Sequence, residues 1–108
     1  MTTYDPDCWH IVKTQSKEDV TYRILCSWGG SYLYGASWKM SSGIVSFQDA
    51  GTHWKVDNAS GSVYNLDKRM ERMSGIMAGV FASYAEQSTD DLNCAIVEFD
   101  QFMKEFNG

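Results

Sequence analysis

The feature that most constrains this chain is a change of hydrophobic period near Asp67. In "VTYRILCSW" (20–28), Val20, Tyr22, Ile24, Cys26 and Trp28 alternate with Thr21, Arg23 and Ser27, and only Leu25 departs from the pattern. A period of two puts one set of side chains on one face of a half-buried strand. After Asp67 the apolar positions are Met70, Met73, Met77, Val80, Phe81 and Tyr84, whose steps of three and four make one stripe along a helix. A run of strands followed by helices predicts an α+β fold. At 108 residues the chain is expected to be one globular domain, 1–108, with its own core.

The strand-forming part divides at turn signals. "CWHIVKT" (8–14) and residues 20–28 flank the polar "QSKED" and predict a hairpin. "ASWKMSS" and "GIVSFQDAG" read as one strand bent at Gly43, where glycine signals a bulge or a close backbone approach. "THWKVDN" (52–58) and "SVYNL" (62–66) complete a meander with turns at "DAG" and "NASG". Trp38 and Trp54 alternate with polar neighbours and are expected in the core.

The expectation is therefore a four- to five-stranded antiparallel sheet over residues 8–66. Two helices, about 67–87 and 90–106, follow and pack on one face of it. Asn65 or Asp67 would cap the first helix, and the small residues Gly75, Ala78, Gly79 and Ala82 would let it sit close on the sheet. Ser88 or Thr89 would cap the second, in which Leu92, Ile96, Phe99, Met103 and Phe106 repeat at four, three, four, three. The alternative for part of that segment is a strand at "CAIVEF".

Charge is unevenly distributed. Residues 1–85 hold eight basic and eight acidic side chains, whereas residues 86–108 hold Glu86, Asp90, Asp91, Glu98, Asp100 and Glu105 against Lys104 alone, so the whole net charge of −5 falls in the last part of the chain. Such a segment repels nucleic acid and membrane surfaces and attracts basic protein surfaces. No direct nucleic-acid binding is expected from a sequence pI near 4.8 without a basic stripe. The polar opening "MTTYDPDCWH" lacks the basic and apolar regions of a secretory signal, and no apolar run is long enough to span a bilayer, so a cytoplasmic protein without membrane contact is expected.

Motifs for chemistry are sparse. Cys8, Cys26 and Cys94 match no zinc spacing, only His10 and His53 accompany them, and neither a GxGxxG nor a P-loop pattern is present. No catalytic residue, metal or cofactor is assigned. Cys8 and His10 share a strand face at i, i+2, and a pocket lined by Cys26, His53 and Tyr64 would support a small ligand-binding or enzymatic domain as the alternative. The candidate partner-binding residues are the aromatics Trp28, Tyr32 and Tyr34 around "WGGSYLYG", together with the six acids from Glu86 to Glu105.

The segments "SYLYGASWKMSSGI" and "HWKVDNASGSVYNL" resemble stretches in small uncharacterised proteins of phages and prophages. The resemblance implies an accessory protein that acts in the bacterial cytoplasm by binding host machinery. It carries over no functional residue. The leading functional expectation is a non-enzymatic binding protein, such as an inhibitor of a host nucleic-acid-associated system like CRISPR–Cas, steered to a basic host protein by its acidic face. A homodimer formed through an exposed sheet edge or face is the third reading.

Overall fold

The longest alternating stretches form the longest strands of the computed structural model, which describes residues 2–29, 37–89 and 92–107. Strands β2 (Cys8–Ser16) and β3 (Val20–Trp28) pair antiparallel from Cys8↔Ser27 to Gln15↔Val20. The Ser16 amide donates to the Asp19 carbonyl at 2.8 Å and closes the predicted hairpin. β4 (Ser37–Met40) adds beside β3, and β8 (Leu92–Val97) adds beside β2, giving an antiparallel sheet in the order β4-β3-β2-β8.

A second sheet holds β5 (Ile44–Asp49), β6 (His53–Asn58) and β7 (Val63–Asp67) as a meander. β1 (Thr3–Tyr4) pairs parallel to β7, so the order is β1-β7-β6-β5 and this sheet is not wholly antiparallel. Gly51 and Gly61, at φ near +91° and +90°, make the two tight turns, a backbone region that glycine enters without steric cost. The fold class is α+β as expected, with the strands divided between two sheets of four.

The division falls at Ser41–Gly43, where a single bent strand was expected. The amide of buried Ser41 donates to the Ile24 carbonyl at 2.8 Å, while its Oγ accepts the Ile24 amide at 2.8 Å and donates to the Ser42 carbonyl. The Ala59 amide then takes the Gly43 carbonyl. A Cβ on Gly43 would lie 3.2 Å from Thr21 Cγ2, so the close approach is real, and it marks a corner between sheets.

Alternation along β2 and β3 sends side chains to two separate cores. Trp9, Ile11, Ile24 and Cys26 face the second sheet, where they meet Ile44, Val56, Tyr64 and Leu66. Cys8, Val12 and Leu25 point the other way, toward Met77. Trp9 is fully buried, and its Nε1 donates to the Asp67 carbonyl at 2.8 Å, so its one polar atom is satisfied.

The helices differ from expectation in extent and placement. Asp67 caps only a 3-10 turn, Lys68–Met70; helix α1 (Gly75–Glu86) starts afresh at Ser74, whose Oγ accepts the Met77 amide. Ser27 and Ser74 share a 2.7 Å hydroxyl bond that seats this start on β3. Met77 is the buried residue of α1, with Met73, Val80 and Phe81 packed around it. Gly75, Ala78, Gly79 and Ala82 lie on the exposed side, so the small residues do not face the sheet.

Residues 92–97, expected within the second helix, form β8 instead, and α2 spans only Phe99–Asn107. Ser88 and Thr89 cap nothing there: Ser88 Oγ donates to the Tyr84 carbonyl, and Thr89 bridges to Leu92. α2 packs on the opposite side of the first sheet from α1. Its Phe99 stacks on Trp54 at 4.4 Å and meets Trp9 edge-on at 5.6 Å, while Phe102 meets Tyr22 and Phe47 at 5.2 and 5.4 Å. The helices therefore do not share a face of one sheet; α2 fills the space between the two sheets.

Candidate functional site

Of the three aromatic candidates, Trp28 falls among the described residues. Trp28 is half-buried against Tyr4, and its Nε1 donates to the Asp5 carbonyl at 3.1 Å, which makes it a cover over the core's edge. Tyr32 and Tyr34 lie outside the described residues. Trp54 belongs to the core as expected, with Lys68 Nζ 4.3 Å from its ring centroid. Trp38 does not: it is 43% exposed on the edge strand β4.

The acidic candidates are not equivalent either. Glu86 ends α1 in solvent, and Glu98 and Asp100 are exposed where β8 passes into α2. Asp90 and Asp91 precede β8 in sequence and lie outside the described residues. Glu105 is already engaged: its Oε1 accepts from Lys13 Nζ and Tyr22 OH, both at 2.7 Å, and its Oε2 accepts from Gln101 at 2.9 Å. It ties α2 to β2 and β3.

Those donors, Lys13 first, hold the Glu105 carboxyl down to about 2, and the same bond helps burial push the Tyr22 hydroxyl up to about 12. A folded-state value below the usual 4.5 means that the tie stabilises the fold fully above that pH and is lost as pH falls toward 2. Urea midpoints measured from pH 7 to 2 are expected to fall through the acid window in the wild type. Glu105→Gln is expected to lose that part of the slope; an unchanged slope would show that the tie does not form in solution.

Glu71 directly follows the 3-10 turn Lys68–Met70. Its Oε2 accepts the Phe99 amide at 2.6 Å, and its carboxyl is held above the usual range by burial, against that hydrogen bond, with Glu98 and Asp100 adding in the same upward direction. Negative charge therefore gathers at the end of β8 where α2 begins.

Between these charges, β8 itself reads Leu92-Asn93-Cys94-Ala95-Ile96-Val97, with no charge, no proline and an unbroken register to β2. The amide and carbonyl of Leu92 both bond to Thr89, on the side away from β2. A period of two then turns the backbone groups of Cys94 and Ile96 outward as well. No strand lies beyond them among the described residues. Edge strands in natural proteins are usually short, bulged or charged. The other three edges follow that rule: β1 has two residues, β4 has four including Lys39, and β5 has a register shift between Ile44 and Ser46 and ends in Asp49. β8 alone among the described edges is long, regular and uncharged.

The sequence candidates for covalent chemistry are not assembled. Cys26 and Tyr64 meet in the core, but alternation along β6 puts His53 on the opposite face from Val56. Burial pushes the Cys26 thiol up to about 12, far from a nucleophile's range. Cys8 Sγ accepts from Arg72 Nε at 3.5 Å rather than pairing with His10, whose ring is held below its usual range by burial, against the opposing charge of Glu98. No group of three or more His, Cys, Asp or Glu among the described residues is placed to hold a metal ion. No helix among them is long and apolar enough to cross a membrane.

No protein-family model matches the chain, and no match was found among the curated proteins or the solved structures.

Proposed function

We propose that this chain is a non-enzymatic protein-binding module that takes an extended segment of a basic partner as an added strand along β8. The observation that carries the reading is the outer edge of β8 at Cys94 and Ile96, which no strand covers among the described residues, in a strand uncharged over six residues and bounded in sequence by acids. Strand addition gains affinity from main-chain hydrogen bonds and specificity from alternate side chains. The acids define the partner: an uncharged, β-prone core flanked on both sides by Lys or Arg, to match a strand that is bounded in sequence by Asp91 before it and by Glu98 and Asp100 after it.

The same charges argue against a homodimer through this edge. Acids adjoin β8 in sequence at both ends, so an antiparallel β8–β8 pair would set acid-rich ends of the two copies against each other, and like charges opposed across strands are destabilising.

The probe is a synthetic peptide of alternating Val and Thr with two Lys at each end, compared with the same core flanked by Glu. The Lys-flanked peptide is expected to shift the amide resonances of Cys94 and Ile96, increasingly so at low salt. Ala95→Lys places a cation at an exposed position on the edge and is expected to abolish the effect while leaving the fold intact. Equal binding of the Glu-flanked peptide, or shifts confined to other strands, would refute the proposal. Sedimentation at two protein concentrations is expected to show a monomer.

The finer form of the proposal is that the basic partner is a nucleic-acid-associated host protein and that the chain is a phage-encoded inhibitor of it. This draws on the resemblance of residues 31–44 and 53–66 to phage and prophage proteins and on the acidic balance of residues 86–108.

A further inference from the structure

Alternation on the face of the first sheet that carries α1 puts Arg23 beside Val12, in register on β3 and β2. Arg23 is half-buried, and its guanidinium makes neither a hydrogen bond nor an ion pair among the described residues. In a chain of net charge −5 such a cation has many carboxylates to choose from, yet none of the described ones pairs with it. It opens into a hollow of about 320 Å³ between the sheet and the C-terminal part of α1.

Val12, Met40, Tyr84 and Leu92 give this hollow apolar walls, Thr14 and Asn93 add uncharged polar groups, and none of the described lining residues is acidic. Tyr84 and Leu92, at 43% and 48% exposed, stand at its rim. The nearby end of α1 does not present bare carbonyls to it, because the Gln87 and Ser88 amides and Ser88 Oγ take the carbonyls of Tyr84 and Ala85.

We propose that this hollow binds a small amphipathic carboxylate, with the acid group on Arg23 and the apolar body between Met40, Tyr84 and Leu92. The volume is at the small end of ligand sites, which run from ~300 to ~1,000 Å³, and so fits a medium-chain fatty acid. Guanidinium is the side chain best matched to a carboxylate, which it grips with two parallel N–H donors. A half-buried cation without a partner destabilises the apo fold, and a carboxylate ligand would relieve that cost. The site lies on the sheet face, apart from the outer edge of β8, and the two proposals stand independently.

The test uses decanoate as the probe, with decan-1-ol as its uncharged counterpart. Decanoate is expected to shift resonances of Val12, Arg23, Met40 and Cys94 and to raise the melting temperature, and decanol to do neither at the same concentration. Arg23→Met is expected to weaken decanoate binding about ten-fold or more, the range for a charged hydrogen bond. It is also expected to melt no lower than the wild type without ligand. Cys94→Phe, which fills the hollow and keeps Arg23, is expected to block binding, and Ala95→Lys to leave it unchanged. Equal binding of decanol, undiminished binding to Arg23→Met or Cys94→Phe, or no binding of decanoate would each overturn the proposal.

Discussion

Phe102→Ala is expected to cost about 3–5 kcal/mol, the range for truncating a buried Phe. Phe102 is fully buried and touches rings from three elements: Tyr22 of β3, Phe47 of β5, and Phe99 and Phe106 of its own helix. Those neighbours are held by two different sheets, so they have little freedom to collapse into the space left behind, and the upper part of the range applies. A domain of this size has a total stability of roughly 5–15 kcal/mol. Urea unfolding should therefore show a midpoint moved strongly downward with an unchanged slope. A loss under about 1 kcal/mol, the scale of a surface change, would mean that α2 does not join the sheets as described.

The second large effect is expected at Met77, with a different signature. Met77→Ala removes the buried anchor of α1 and should cost about 2–5 kcal/mol at that site. The other apolar residues of α1 are only partly buried, and Met77 belongs to the smaller core with Cys8, Val12 and Leu25. The loss should therefore fall on local opening of α1 before it reaches the two-sheet core. Hydrogen exchange is the deciding measurement: residues 75–86 should lose protection while the amides of β2, β3 and β6 keep theirs. Uniform loss over the whole chain would show that the two cores unfold as one unit.

These two cores explain what the sequence could and could not convey. The β2–β3 hairpin was legible because both strands alternate cleanly and a polar connector separates them. Leu25, the residue out of pattern on β3, is buried too, because this sheet is covered on both faces. The corner at Ser41–Gly43 was not legible as a corner, since a bent strand and a sheet switch have the same composition and differ only in which backbone groups pair. β8 came second to a helix by coincidence of phase, with only the alternative reading placing a strand at "CAIVEF". Leu92 and Ile96 extend the helical spacing of Phe99, Met103 and Phe106 backward without a break, although the chain changes conformation at Glu98. β1 is only two residues long and carries no pattern to read.

The candidate site was legible as a charge imbalance but not as a geometry. Glu98 and Glu105 look alike in the sequence. Only the fold shows that Glu105 is held by Lys13 and Tyr22, 92 and 83 positions away, while Glu98 stays exposed beside the open strand. Arg23, whose side chain has no partner among the described residues, gave no signal either. Arg23 is an ordinary polar position in an alternating strand, and its isolation is a property of which residues other strands bring near it.

The place of Phe99 and Phe102 between the two sheets has a consequence for how the domain is made. Every strand precedes α2 in chain order, so during synthesis all eight leave the ribosome before the rings that join them. Until those rings arrive, Trp9, Ile24, Val56 and Leu66 face one another across a gap with nothing to fill it. Closure of the larger core therefore waits for α2, and a nascent chain halted before Phe99 would present open sheet faces to the cell's chaperones.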